Sequence, residues 1–288
     1  MTIQYGNVYV DEKYSAIVEP NLYTDTVLIP EVTYTGKYEI GPAGQIFVHK
    51  VSKGSAVGVG TPGRDFSDEG ASDTLIPIAL NNNYQKSKKI YGVQKNAVAY
   101  SIAEENLQTA LSMVKESRQY SALACLAHEA TEYSDTTAIT TSALAVQYLL
   151  ALRKQIKDNH GKANFALVNT EVYKLMLAEV GFKVATDPAT RSAELMNRFG
   201  LNIIECNSFD ESTVYYYDAS GTKTAVDLTD VEMIVGDARC FSIVDNLNAF
   251  RLVDSENFVG SKAQVEMNTG FKVTNADCIV VKGTSASI

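Results

Sequence analysis

The sequence is poor in the residues from which most active sites are built. It has no tryptophan and only three histidines, His49, His128 and His160, in 288 residues. Its four cysteines, Cys125, Cys206, Cys240 and Cys278, are far apart and form no C-x-x-C pair. A structural zinc site needs closely spaced ligands, so no metal is expected. Each cysteine sits in apolar surroundings, which reads as a buried free thiol in a reducing compartment. Neither G-x-S-x-G nor the phosphate loop G-x-x-x-x-G-K-[ST] occurs, so no catalytic residue and no cofactor is expected. No run of about 18 apolar residues is present, and no membrane span is expected. The start, Met1-Thr2-Ile3-Gln4-Tyr5-Gly6, lacks the basic and apolar regions of a secretory signal. Cations are scarce too: 25 Lys+Arg against 34 Asp+Glu give a net charge of -9. Gripping DNA phosphates or anionic lipids takes clustered cations, so both roles are disfavoured.

What is present is apolar enough to fold. Hydrophobic residues make up 45% of the chain, and its length suits one domain with insertions or two intermingled subdomains. Residues 1–40 show short apolar pieces (Val8-Tyr9-Val10, Thr26-Val27-Leu28-Ile29, Val32-Thr33-Tyr34) broken by Pro20 and Pro30. With a net charge of -4 and no helical period, this reads as an extended arm that needs a partner surface. In residues 45–95, Gln45–Val51 alternates like a strand, a Gly-rich polar stretch follows, and Lys88–Val93 reads as the return strand. This window is net +3, with an acidic patch at Asp65, Asp68, Glu69 and Asp73. A long hairpin without its own core is marginal in water, so it is expected to lie on another surface.

Helical periodicity is strongest over 103–130, with Leu107, Leu111, Val114, Leu123 and Leu126 near helical spacing. Acids at its start suit the helix dipole. A second helix is expected from Thr141 to Asp158, closed by Asn159-His160-Gly161. Then come a strand at Phe165–Val168, a helix at Glu171–Val180 capped by Asn169 or Thr170, and a helix from Asp187-Pro188 to Phe199. Strands dominate from Leu201 onward. Among them, Val214–Tyr217 and Lys223–Val226 flank the turn Asp218-Ala219-Ser220-Gly221. Helices in the middle and strands at both ends point to α+β, not a doubly wound sheet.

Three motifs invite chemistry and have plainer explanations. Gly58-Val59-Gly60-Thr61-Pro62-Gly63 matches G-x-G-x-x-G, but no helix period follows it, so it reads as a loop tip. His128-Glu129 lacks the second histidine of H-E-x-x-H. Cys125 and His128 share a helix face, but two ligands do not close a metal site. Tyr215-Tyr216-Tyr217 offers an aromatic platform, or a hairpin strand with one ring facing the core.

Five stretches, in order, resemble the major capsid proteins of tailed bacteriophages, whose fold is shared with encapsulins. They are Asp68-Glu69-Gly70-Ala71 ahead of Lys88-Lys89, Phe165–Tyr173, Gly200–Asn207, Val235-Gly236-Asp237 and Gly270–Asn275. The resemblance implies an α+β fold with an N-terminal arm (1–44) and an extended two-stranded loop (45–95). It implies a peripheral domain with a long spine helix (96–139), an axial domain (140–240) and C-terminal strands returning to the peripheral side (241–288). Copies would form hexamers and pentamers of an icosahedral shell around double-stranded DNA, contacted non-specifically. Partners implied are other copies, a separate scaffolding protein, a portal and a decoration protein, with assembly in the host cytoplasm and residence in the virion. The charged residues of the loop are the expected assembly contacts: Lys50, Lys53, Arg64, Asp65, Asp68, Glu69, Asp73, Lys86, Lys88 and Lys89. An encapsulin-type compartment, an α+β enzyme and a tail or tube component are the alternative readings.

Overall fold

The computed structural model describes residues 3–5, 8–10, 45–51, 73–92, 102–181 and 199–284. It begins with a short antiparallel hairpin, β1 (Ile3–Tyr5) and β2 (Val8–Val10), with Ile3 opposite Val10. The rest of the expected arm, the Gly-rich motif at 58–63 and the helix expected from Asp187 fall outside the described residues, except Phe199.

Strand β3 (Gln45–Val51) pairs antiparallel with β4 (Asp73–Ala79). The return strand is therefore Asp73–Ala79, not the expected Lys88–Val93. Ile46 and Ile78 lie opposite each other and bury against Val244, which anchors the base of this hairpin to the body. Lys88 instead belongs to β5 (Asn82–Tyr91), part of another sheet.

Helix α1 (Ile102–Glu129) has 28 residues, about 42 Å at 1.5 Å per residue. Its two halves differ. In the first, Ala103, Leu107, Ala110 and Val114 form one buried stripe. In the second, every residue from Ala122 to Ala127 is buried, as expected of a helix enclosed on all sides. Alanines at 122, 124 and 127 let neighbouring elements approach closely there.

The connection through β6 (Thr131–Glu132) leads to α2 (Ser142–Asp158). Thr141 is its N-cap, with the Oγ1 accepting from the Leu144 N–H at 3.3 Å. At the far end His160, not a glycine, takes the left-handed turn at φ 63. Gly161 is needed for contact: a Cβ there would stand 2.7 Å from the Ile156 side chain. Then follow β7 (Phe165–Asn169), α3 (Thr170–Gly181), β8 (Asn202–Cys206), the hairpin β9 (Val214–Tyr217) and β10 (Lys223–Val226), and β11 (Val231–Gly236). The Asn169 side chain caps α3 by accepting from the Glu171 N–H at 3.0 Å. Two 14-residue strands, β12 (Phe241–Asp254) and β13 (Gly260–Val273), precede β14 (Ile279–Gly283).

These strands build two main sheets. The larger has the order β6-β14-β11-β7-β8, with β6–β14 and β7–β8 parallel and the other pairs antiparallel. It is buried on both faces, which is why β7 and β14 read as continuous apolar runs. Phe165, Leu167, Ile234, Ile279 and Val281 face the second half of α1 and the β9–β10 hairpin. Ala166, Val168, Met233, Val235 and Val280 face α2 and α3. Each fully buried aliphatic or aromatic side chain contributes about 1.5–3 kcal/mol, so this double layer is the main store of stability.

The smaller sheet has the order β12-β13-β5 and packs one face on the first half of α1. Its strands alternate: Ala263, Val265 and Met267 are buried under the helix, while Lys262, Gln264 and Glu266 face away. Strand β12 reads as two pieces in the sequence because Asn246-Leu247-Asn248 breaks the apolar pattern. A bulge between Leu247 and Ala249 absorbs the irregularity and keeps it continuous. The fold is α+β, as the sequence implied.

Candidate functional site

The described histidine, cysteine and tyrosine motifs are taken up by contacts within the fold. His128 spends its Nδ1 on the Tyr216 hydroxyl, 2.9 Å away. Tyr216 is the ring of its strand that enters the core, while Tyr215 and Tyr217 are exposed. Cys125 is fully buried, and burial pushes its thiol well above the ordinary value. Glu129, next to His128, is committed to β13. Its Oε1 receives Lys272 Nζ at 2.8 Å and its Oε2 the Val273 N–H at 2.9 Å. Among the described residues no group of three His, Cys, Asp or Glu could hold a metal ion.

The functional surface therefore has to be sought on the outside of the sheets. Of the expected contact residues, Lys53, Arg64, Asp65, Asp68 and Glu69 lie outside the described residues. Lys50 and Asp73 sit on the β3–β4 ladder one register step apart, since Val51 faces Asp73 and Lys50 faces Thr74. Lys86, Lys88 and Lys89 do not form one patch, because a strand sends successive side chains to opposite faces. Lys86 and Lys88 pair with Val265 and Ala263, on the side that α1 covers. Burial, then the neighbouring Lys86, lowers the pKa of Lys88. Lys89 is on the opposite face, where it pairs with Lys262, and both ammonium groups lie about 6 Å from the Phe258 ring.

That opposite face is rich in amide side chains. Asn83 Nδ2 donates to Glu266 Oε1 at 2.9 Å, and Arg251 Nε donates to Gln264 Oε1 at 3.3 Å. At its end the β12–β13 hairpin closes with the Ser255 N–H on Gly260 O and the Gly92 N–H on Val259 O, each 2.9 Å. The tip residue Val259 is 87% exposed.

Sequence reasoning missed the apolar part of this surface. Leu247, Phe250 and Leu252 pair with Met267, Val265 and Ala263, so they are on the helix side of β12. Yet α1 leaves all three exposed along the sheet edge. Phe47 and Leu75 on the β3–β4 ladder are exposed as well. The signal was there, as an apolar stripe on a strand that the sequence seemed to interrupt at Asn248. Among the described residues β12 is an outer strand of its sheet.

The body is meanwhile fastened internally at the sheet junctions. Arg118 on α1 grips Asp245 of β12 with two bonds of 2.7 and 2.5 Å, and the Thr269 hydroxyl adds a third at 2.8 Å. The Asn82 side chain, buried, pairs with the Tyr217 backbone in both directions, at 3.0 and 2.8 Å. It ties the start of β5 to the β9–β10 hairpin.

A two-sheet α+β body with a long helix, a half-exposed apolar stripe on β12 and the β3–β4 ladder matches solved capsid proteins. Solved structures with this fold include one of Mycobacterium phage Che8, with a TM-score of 0.60 at 14% identity over 98% of this chain and 100% of that one. The capsid of the cyanophage P-SCSP1u matches with a TM-score of 0.65 at 14% identity, over 96% of this chain and 93% of that one. A virus-like particle from Pyrococcus furiosus matches with 0.54 at 12% identity, over 88% and 91%. No curated protein matches in sequence. The family's own model, described as phage capsid protein, matches residues 93–281, and the chain belongs to that family. It is thus a structural component of a phage virion capsid, and family and fold point away from an enzyme.

Proposed function

We propose that this chain is the major capsid protein of a tailed bacteriophage. Its copies assemble as hexamers and pentamers into an icosahedral shell around double-stranded DNA, in the cytoplasm of the host. The observation that carries this reading is the half-exposed apolar stripe Leu247, Phe250 and Leu252 on β12, in a member of a capsid family. Neighbouring copies cover such stripes when subunits close into a shell.

The division of labour follows the expected segments. The arm (1–44) and the loop (45–95) reach across neighbours, with Lys50, Lys53, Arg64, Asp65, Asp68, Glu69, Asp73, Lys86, Lys88 and Lys89 as charged contacts. Residues 96–139 with α1 form the peripheral domain, 140–240 the axial domain, and 241–288 return to the peripheral side. The packing of β12 and β13 against the first half of α1 supports that last assignment. A net charge of -9 suits a wall that encloses DNA without gripping it. A scaffolding protein, a portal and a decoration protein complete the particle.

Negative-stain microscopy of the chain, expressed alone or with its scaffolding partner, tests the reading. Closed shells are expected, and a stable monodisperse monomer with a bound cofactor would overturn it. Nucleic acid inside mature particles separates a virion from an encapsulin-type compartment. Deleting residues 54–72 is expected to leave a folded protein that no longer forms normal shells, and unimpaired shells would remove the loop from the assembly mechanism.

A further inference from the structure

The two main sheets are joined by two chain crossovers that run side by side. One passes from β11 to β12 through the 3-10 turn Ala238–Cys240, and the other from β13 to β14 through the 3-10 turn Ala276–Cys278. Backbone bonds hold the turns together: the Thr274 N–H donates to Cys240 O at 2.8 Å, and the Asp237 N–H donates to Cys278 O at 3.1 Å. Asp237 fixes the first turn by accepting from the Arg239 N–H at 3.0 Å and from its guanidinium at 2.6 Å. This arrangement brings two cysteines that are 38 positions apart into adjoining turns, near enough that, after burial, Cys278 helps raise the Cys240 thiol. Cys278 Sγ also accepts from Asn275 Nδ2 at 3.1 Å and packs above Gly161, where a Cβ would stand only 3.0 Å from the sulfur. Cys240 is partly buried and Cys278 buried, so Cys240 is the more accessible residue of the pair.

We propose that Cys240 and Cys278 are a disulfide-forming pair, reduced in the host and oxidised once the protein meets an oxidising medium. The bond would staple the two crossovers and lock the sheets against each other. The oxidant is a small-molecule disulfide such as oxidised glutathione. The Cys240 thiolate attacks one glutathione sulfur, forms a mixed disulfide and expels one glutathione thiolate. The Cys278 thiolate then attacks the Cys240 sulfur and expels the second. The two cysteine protons end on the two glutathione thiols, so two thiols and one disulfide give one disulfide and two thiols. Burial holds the Cys240 thiol up at about 12, so its thiolate is scarce at neutral pH and the exchange speeds up as pH rises.

The test uses the full-length, unassembled chain, so its outcome is independent of shell formation. The protein is incubated with oxidised glutathione at alkaline pH, alkylated, digested without reduction and mapped by mass spectrometry. A Cys240–Cys278 peptide pair, lighter by two hydrogens than the separate peptides, is expected. It is accompanied by a melting temperature raised by several degrees that returns on reduction. Both signals are expected to vanish in Cys240→Ser and in Cys278→Ser. If the buried Cys278→Ser does not fold, the partly exposed Cys240→Ser gives the same comparison. A stable glutathione adduct on Cys240 with Cys278 still free, a bond between other cysteines, or an unreacted pair in the folded protein would each overturn the proposal.

Discussion

Lys282 has no exposed surface at all, yet its amine is fully engaged. Its Nζ donates to Glu232 Oε2 at 3.1 Å and to Gly283 O at 2.9 Å, and sits 5.0 Å from the Tyr148 ring centre. The other Glu232 oxygen receives the Ile139 N–H at 2.7 Å, while the Tyr148 hydroxyl donates to Asp135 at 2.7 Å. Together they fasten the connection between α1 and α2 to the large sheet. Removing one partner of a buried pair leaves the other uncompensated. Lys282→Met is expected to lose about 3 kcal/mol in a urea titration, with part recovered by adding Glu232→Gln. Asp135 gives a pH signature. The Thr137 N–H, then the Tyr148 hydroxyl, holds its carboxyl down to about 2 from an ordinary 3.8. A depressed carboxylate stabilises the fold above its unfolded value and loses that contribution as pH falls. The effect is therefore full above about 4 and fades between about 4 and 2. Acid titration of the melting temperature is expected to show a shallower fall over that window in Asp135→Asn than in the parent chain.

At the scale of elements, α1 serves two cores with one helix, amphipathic where it lies on β13 and apolar all round where the large sheet encloses it. That change explains why its apolar period is clear near Leu107 and blurred near Cys125. The β12–β13 hairpin depends on Gly260, whose φ of 151 favours glycine. A Cβ there would fall 2.1 Å from Ile90 O, inside the backbone of β5. Gly260→Ala is expected to cost about 3 kcal/mol or more and to open the end of the sheet. Hydrogen exchange checks it: the Gly92 amide, bonded to Val259 O, should lose protection before amides at the centre of β13 do.

For the whole molecule, the apolar stripe on β12 separates folding from assembly. Leu247, Phe250 and Leu252 keep about half of their surface exposed in the single chain, so changing them costs less than changing a core residue. Phe250→Asp with Leu252→Asp is expected to lower stability by about 1–3 kcal/mol, leaving a folded chain, while abolishing shells. Microscopy and thermal melts of the same sample read the two effects separately, and intact shells would show that this edge is not a contact between copies.

Much of the molecule was legible from residue order. The three described helices fall within one or two residues of the periodic segments, because a helix records its buried face every three or four positions. Of the two cap candidates for α3, Asn169 is the one that caps it. The scarcity of histidine and of paired cysteine motifs turned the reading from catalysis towards structure. Strand partners were not legible in the same way. Nothing local tells β3 that its mate is Asp73–Ala79, or β5 that its mate is β13 some 170 residues later. Such pairings depend on which apolar faces meet once α1 is in place. The same holds for the buried Lys282, the exposed stripe at Leu247, Phe250 and Leu252, and the approach of Cys240 to Cys278. By itself the sequence determined the helices, the sparse chemistry and the uneven charge. Only the tertiary structure decided the sheet order and which side chains stayed outside, because those depend on contacts between residues far apart in the chain.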